Sequence, residues 1–163
     1  MIIEPAEPTD AKAICVLWNW MIRDTLSTFT TTEKTVADIS EIISSRRGSI
    51  FVAKEDGALL GFVTFGPFRS GPGYAAAVEH SVIVQPASHG RGIGQKLMKS
   101  AFNAAKEQGK HVMVAAISSA NPDALDFHTA LGFDQVGLLP EVGRKNGQWL
   151  DLVLMQKMLT DPA

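Results

Sequence analysis

Apolar residues along the chain follow two spacings, one of three and four residues and one close to two, and the switches between them divide the sequence into elements. After an initial extended stretch the spacing is helical: Ile14, Leu17, Trp18, Met21 and Ile22 share a face, and Thr9 or Asp10 stands where an N-cap is expected. Thr25 to Thr32 is rich in Thr and Ser with one aromatic, Phe29, and reads as a loop that covers a site. A second helix is predicted from about Val36 to Arg46, with Ile39, Ile42 and Ile43 inward. Ile50 to Ala53 and Leu59 to Phe65 are apolar runs on either side of Asp56-Gly57, a hairpin signal. Gly66-Pro67 ends the second run, and Phe68 to Tyr74 forms a loop.

Val78 to Val84 resumes a strand pattern that Pro86 closes, since proline cannot donate to a ladder. From Gly92 the spacing is helical again through Ile93, Leu97, Met98, Ala101, Ala104 and Ala105, with Gly109 as the stop. Val112 to Ile117 reads as a buried strand. Asn121-Pro122-Asp123 opens a short helix to about Leu131, and Gly132 ends it. Phe133 to Leu138 and Trp149 to Met158 are late strands, with Asn146-Gly147 turning into the second. Helix, helix, hairpin, strand, helix, strand, helix and two strands make a mixed α/β or α+β domain around one sheet.

Composition narrows the function. At 163 residues, one domain spanning 1–163 with a single core is expected. An apolar share of 45% against 20% charged residues is globular composition. The net charge is −2 with Lys and Arg scattered, which gives a nucleic-acid backbone no basic stripe to bind. Cys15 is the lone cysteine, so no intrachain disulfide and no cysteine-rich metal site is expected, in keeping with a reducing compartment. Met1-Ile2-Ile3-Glu4-Pro5 has no basic segment leading into an apolar one, and no run of about 18 apolar residues follows. A cytoplasmic protein without membrane association is expected.

The chemistry gathers at His89-Gly90-Arg91-Gly92-Ile93-Gly94, between a strand and a helix. Unpaired N–H groups at a helix start bind a pyrophosphate when no side chain blocks the approach. Gly90, Gly92 and Gly94 leave it open, and Arg91 adds charge. A dinucleotide fingerprint needs a third glycine where Leu97 stands, and a P-loop needs Lys-Ser/Thr where Gln95-Lys96 stands.

The turn instead resembles the cofactor motif of the GCN5-related N-acetyltransferase (GNAT) superfamily. Asn121, Ala124, His128 and Leu131-Gly132-Phe133 resemble that superfamily's second cofactor segment, with His128 where most members carry Tyr. Val78-Glu79-His80-Ser81-Val82, His111 to Ile117 and Gly147 to Leu152 narrow the likeness to the phosphinothricin acetyltransferase branch, which includes bacterial methionine sulfoximine and methionine sulfone acetyltransferases. The match runs from about Ile14 to Met158.

The resemblance implies a central, mostly antiparallel mixed sheet flanked by helices, acetyl-CoA as co-substrate, and direct transfer to an amine in a ternary complex. It assigns the cofactor to Val82, Ile83, Val84, the turn His89 to Gly94, Gln95 and Asn121, and general-base work to Glu79. His128 is implied either as the group that protonates the departing thiolate or as a wall beside the cofactor. Arg69 matches a position that contacts an acceptor carboxylate, and Ser70, Gly71, Glu79, His80, Ser81 and Phe29 complete the implied acceptor pocket. His89 stands where Gln or Arg is usual. Methionine-sulfone-type enzymes carry a second arginine near position 75, but this chain reads Ala75-Ala76-Ala77. The implied acceptor is a small amino acid or analogue, with a protein N-terminus, polyamine or antibiotic amine as the alternative and a silent CoA-binding module as a third reading. A homodimer is implied in the same way.

Overall fold

The computed structural model describes residues 1–160. The first extended stretch is a strand, β1 (Ile2–Pro5), paired antiparallel to β2 (Ile50–Glu55) with Ile3 opposite Ala53. Four residues alternating at a sheet edge carry too little pattern to be read beforehand. Helix α1 (Ala11–Asp24) follows, with Asp10 at its N-cap position but without a side-chain cap. The Asp10 carboxylate is engaged elsewhere: it accepts from the Glu7 N–H at 2.8 Å and pairs with Lys54 Nζ at 2.7 Å. In α2 (Val36–Ser45) the cap is reciprocal, Thr35 Oγ1 accepting from the Asp38 N–H while the Asp38 side chain accepts from the Thr35 N–H. Arg46 is the C-cap.

β3 (Ala58–Pro67), β4 (Ala77–Val84), α3 (Ile93–Glu107), β5 (Val112–Ser118), α4 (Pro122–Ala130), β6 (Asp134–Lys145) and β7 (Gln148–Met158) complete the order. The seven strands of the described residues form one sheet in the order β1-β2-β3-β4-β5-β7-β6, antiparallel except for β4 beside β5. β6 runs past the expected end at Leu138 because its register shifts between Leu139 and Gly143. Pro140 falls in that bulge on an edge strand, where its missing N–H breaks no ladder. The Glu141 N–H finds Asp151 Oδ1 at 2.8 Å.

Alternation along the strands sends two apolar sets to opposite faces. Phe62 and Ile83 face α1 and α2, packing with Ile14, Leu17, Ile39 and Ile43. Val63, Phe65 and Val78 face α3, packing with Leu97, Met98 and Ala101. Among the described residues no helix is long and apolar enough to cross a membrane. The feature that positions the site is a short pairing. β4 and β5 are in register only at Ala77–Val112, Val78–Met113 and Glu79–Val114, and beyond Glu79 the two strands part.

Candidate active site

Two cavities meet at this split. The larger, about 580 Å³, lies between the end of β4, the turn into α3 and the start of α4. Val82, Val84, Ser88, His89, Gly90 and Gly92 to Gln95 line it on one side, and Asn121, Asp123, Ala124, Phe127 and His128 on the other. The smaller, about 110 Å³, fills the gap itself, between Ser81 to Ile83 of β4 and Ala115 to Ser118 of β5, with Met21 and Ser27 above it. Asn121, Ala124 and His128 border both, so the two form one path through the sheet.

The turn is shaped for an anion. Gly90 and Gly92 sit at φ 79° and 73°, backbone that an L side chain rarely adopts. Helix α3 starts with no side-chain cap, which leaves the N–H groups of its first turn without an internal acceptor. Gly94 is needed for a different reason: a Cβ there would lie 3.0 Å from the Phe127 ring. These features fit a CoA pyrophosphate at the helix start with pantetheine running toward the split.

Not every residue of the turn behaves as the sequence implied. His89 lines the cavity, but its Nε2–H is spent on the Val84 carbonyl at 3.0 Å, tying the turn to β4. Arg91 does not line it; its Nη2 contacts both Glu55 carboxylate oxygens at 2.9 and 3.0 Å, on the exposed surface. Ile83 lines the smaller cavity only. Ser88, Asp123, Phe127, Ser27 and Ser118 are lining residues that sequence reasoning missed, and Met21, read as core, is among them. Phe127 had a usable signal, since it precedes His128 on a helix whose opposite side is polar.

His128 and His80 form a buried pair, Nε2 to Nε2 at 2.9 Å. The Ala124 carbonyl, 2.7 Å from His128 Nδ1, can only accept, so His128 carries its proton on Nδ1. Its Nε2 is then the acceptor, and His80 Nε2–H donates. His80 Nδ1 is left bare, and it is a buried polar atom without a hydrogen-bond partner. Burial, and then the neighbouring His128, push the His80 pKa down to about 3, with the Val114 carbonyl acting weakly the other way. Burial also lowers that of His128, against the Ala124 contact. The pair is neutral at neutral pH, with both ring nitrogens of His128 engaged.

Glu79 lies on the opposite face of β4, the face that α1 and α2 cover, at the last position paired with β5. Its side chain reaches solvent and lines neither cavity, while Ser81, two residues on and on the same face, lines the smaller one. Desolvation raises the Glu79 pKa and the Arg46 charge opposes that rise. Arg69 is exposed with its guanidinium over the Phe68 ring, and Ser70 and Gly71 continue the same exposed loop. Phe29 is packed against β6, where a Cβ at Gly143 would collide with its ring.

The Thr-rich loop is held from across the chain. Lys145, 4% exposed, donates through Nζ to the carbonyls of Ile22, Thr25 and Thr28 at 2.6, 2.8 and 3.0 Å. Burial lowers its pKa, and all three ammonium protons have acceptors. Among the described residues no group of three or more His, Cys, Asp or Glu side chains is placed to hold a metal ion.

A sheet split beside an uncapped, glycine-shaped helix start, with a carboxylate at the parting, is the arrangement of an acyl-CoA-dependent transferase. Residues 15–133 match the acetyltransferase (GNAT) family, and the chain belongs to it. Within that family it is closely related to the phosphinothricin and methionine sulfoximine acetyltransferase branch. It is 44% identical over 114 residues to the L-methionine sulfoximine/L-methionine sulfone acetyltransferase of Salmonella typhimurium, an overlap of 70% of this chain and 67% of that protein. An acetyltransferase of Salmonella typhimurium solved with its cofactor acetyl-CoA superposes at a TM-score of 0.96 and 36% identity, covering 100% of this chain and 96% of the other. A phosphinothricin acetyltransferase of Sinorhizobium meliloti in complex with acetyl-CoA superposes at 0.92 with 29% identity, covering 99% and 92%. The chain is an acetyl-CoA-dependent acetyltransferase of this family.

Proposed function

We propose that the acceptor is the α-amine of a small amino acid or an analogue of the methionine sulfoximine, methionine sulfone or phosphinothricin type. The observation that carries this reading is the position of Glu79, a carboxylate of raised proton affinity at the point where β4 leaves β5. Acetyl-CoA supplies the activated acetyl group as a thioester. The chain's part is to hold it, to bring the amine up and to move a proton. The N–H groups of Ile93, Gly94 and Gln95 receive the pyrophosphate, and Val82 and Val84 offer backbone groups along the larger cavity. An amine in water is protonated and cannot attack, so Glu79 takes one proton from it, directly or through water. The rise in the Glu79 pKa brings it closer to the working range of a base.

His128 borders both cavities and meets whatever passes from one to the other. With Nδ1–H given to Ala124 and Nε2 shared with His80, it serves as a neutral wall that fixes the thioester end, and a proton reaches the departing sulfur through it only if the His80 contact opens. Cys15 is buried in α1 with Sγ donating to the Lys34 carbonyl, which supports direct transfer over an acyl-cysteine relay.

Turnover of acetyl-CoA by the purified chain over a panel of amino acids, methionine sulfone, methionine sulfoximine and phosphinothricin tests the reading. No turnover with any of them, alongside turnover of a polyamine or peptide N-terminus, would replace it with the second reading, which exposed Ala75 and Ala76 favour by supplying no charge. We also infer a homodimer through edge strand β6, where Val136, Leu138 and Val142 stand 54%, 52% and 55% exposed. A scattering mass of two chains is expected, and a mass of one chain overturns it.

A further inference from the structure

Arg46 lies on the acceptor side of the sheet with most of its hydrogen-bonding capacity unused. Its side chain runs from the end of α2 over Gly66 of β3, so closely that a Cβ on Gly66 would be 2.8 Å from Cζ and 2.9 Å from Nε and Nη2. Gly66 is directly opposite Glu79 in the β3–β4 register. Facing positions on one side of an antiparallel pair have Cβ atoms about 5 Å apart, so the guanidinium occupies the place beside the Glu79 side chain. Thr64 and Ser81, the next facing pair on the same side, continue this polar strip to the mouth of the smaller cavity.

A guanidinium has five N–H donors, and here one bond is made, Nη1 to Thr64 Oγ1 at 3.3 Å. Among the described residues Arg46 forms no salt bridge, although it is half-buried. Burial lowers its pKa and the Glu79 charge counters that. Lys145, which is buried, has all three of its donors taken by carbonyls, whereas half-buried Arg46 keeps most of its own open to the solvent side of the cleft.

We propose that Arg46 is the anion anchor of the acceptor site, holding the α-carboxylate of the amino acid whose amine faces Glu79. An α-amino acid carries both groups on one carbon, so its receptor must set a base and a cation side by side, as Glu79 and Arg46 stand across Gly66 and its partner position. A fork of N–H donors suits a carboxylate in two-point contact. This rests on the reading of Glu79 as the base.

The test compares an accepted amino acid with its own amide, which keeps the amine and removes the negative charge. The wild type is expected to prefer the acid. Arg46→Gln lowers kcat/KM for the acid relative to the amide about ten- to a hundredfold, mainly through KM for the acid. Gly66→Ala is the second variant: its methyl displaces the flexible guanidinium without deleting it, and the same direction of change is expected. An unchanged KM for acetyl-CoA reports that the fold is intact. Retention of the acid preference in both variants overturns the proposal. So does an equal loss for acid and amide with a shifted pH profile, which would make Arg46 a partner of Glu79 alone, or loss of the preference only in Arg69→Gln. A wild type that accepts no amino acid fails at the earlier step and removes the proposed function with it.

Discussion

The turn from His89 to Gly94 and the loop from Thr25 to Thr32 flank the same path through the sheet, yet they are fixed by different means. The turn is held by its own neighbourhood: Ser88 N–H to the Gln85 carbonyl at 2.8 Å, His89 N–H to the Pro86 carbonyl at 3.3 Å, and the His89 ring to Val84. The loop begins with a local bond, Thr25 Oγ1 to the Met21 carbonyl at 2.6 Å, but is secured by Lys145, whose bonds span 117 to 123 positions, and by Phe29 against Gly143. The cofactor side therefore uses backbone conformation, which can be the same for one ligand throughout a family. The side proposed for the acceptor uses side chains gathered from far apart, which can change one at a time.

If the two sides are separate in this way, substitutions should divide cleanly between them. The largest effect belongs to Glu79→Gln, expected to lower kcat about 10²- to 10⁴-fold with the acetyl-CoA dissociation constant unchanged; calorimetric titration showing cofactor binding lost as well would break the division. Gly94→Val comes next. Its Cβ would meet Phe127 at 3.0 Å and its methyls come nearer still, so KM for acetyl-CoA should rise about tenfold while KM for the amine holds, as steady-state kinetics would read.

A further effect is on stability and concerns the His pair between the two sides. Both histidines have pKa values lowered by folding, so the unfolded chain binds more protons than the folded one below about pH 6.5. Stability is complete above that value and is lost as pH falls toward the His80 pKa of about 3. Thermal melts between pH 7.5 and 4 should show Tm falling with pH, and His80→Phe, which keeps the ring contact with Phe133, should flatten part of that slope. An unchanged slope would mean the pair is not the sensor.

The separation of contacts in sequence also explains what was legible beforehand. The strand, glycine turn and helix at Val78 to Ala105 read directly, because turn geometry and helix spacing are local properties. The reason for each glycine did not: Gly94 answers to Phe127, on another helix. Of the two cap candidates, Thr9 and Asp10, it is Asp10 that stands at the N-cap position of α1, but its side chain does not cap: the carboxylate goes to Lys54, an alternative that only the β2 strand alongside reveals. The place of Arg91 in the turn suggests a phosphate contact, whereas Glu55 on the neighbouring hairpin holds its guanidinium on the surface. Lys145 carries no sequence signal of its role, since a lysine near a chain turn reads as surface until the loop that covers it is known.

Lys145 bonds only to main-chain oxygens, those of Thr25 and Thr28 in the loop and of Ile22 near the end of α1. That hold does not depend on the side chains at Thr25 and Thr28, so with Phe29 kept against Gly143 the remaining side chains of the segment are exchangeable parts on a fixed mount. Descendants of such a protein can be retuned to new amines by rewriting a handful of codons there, with no need to rebuild the scaffold that carries them.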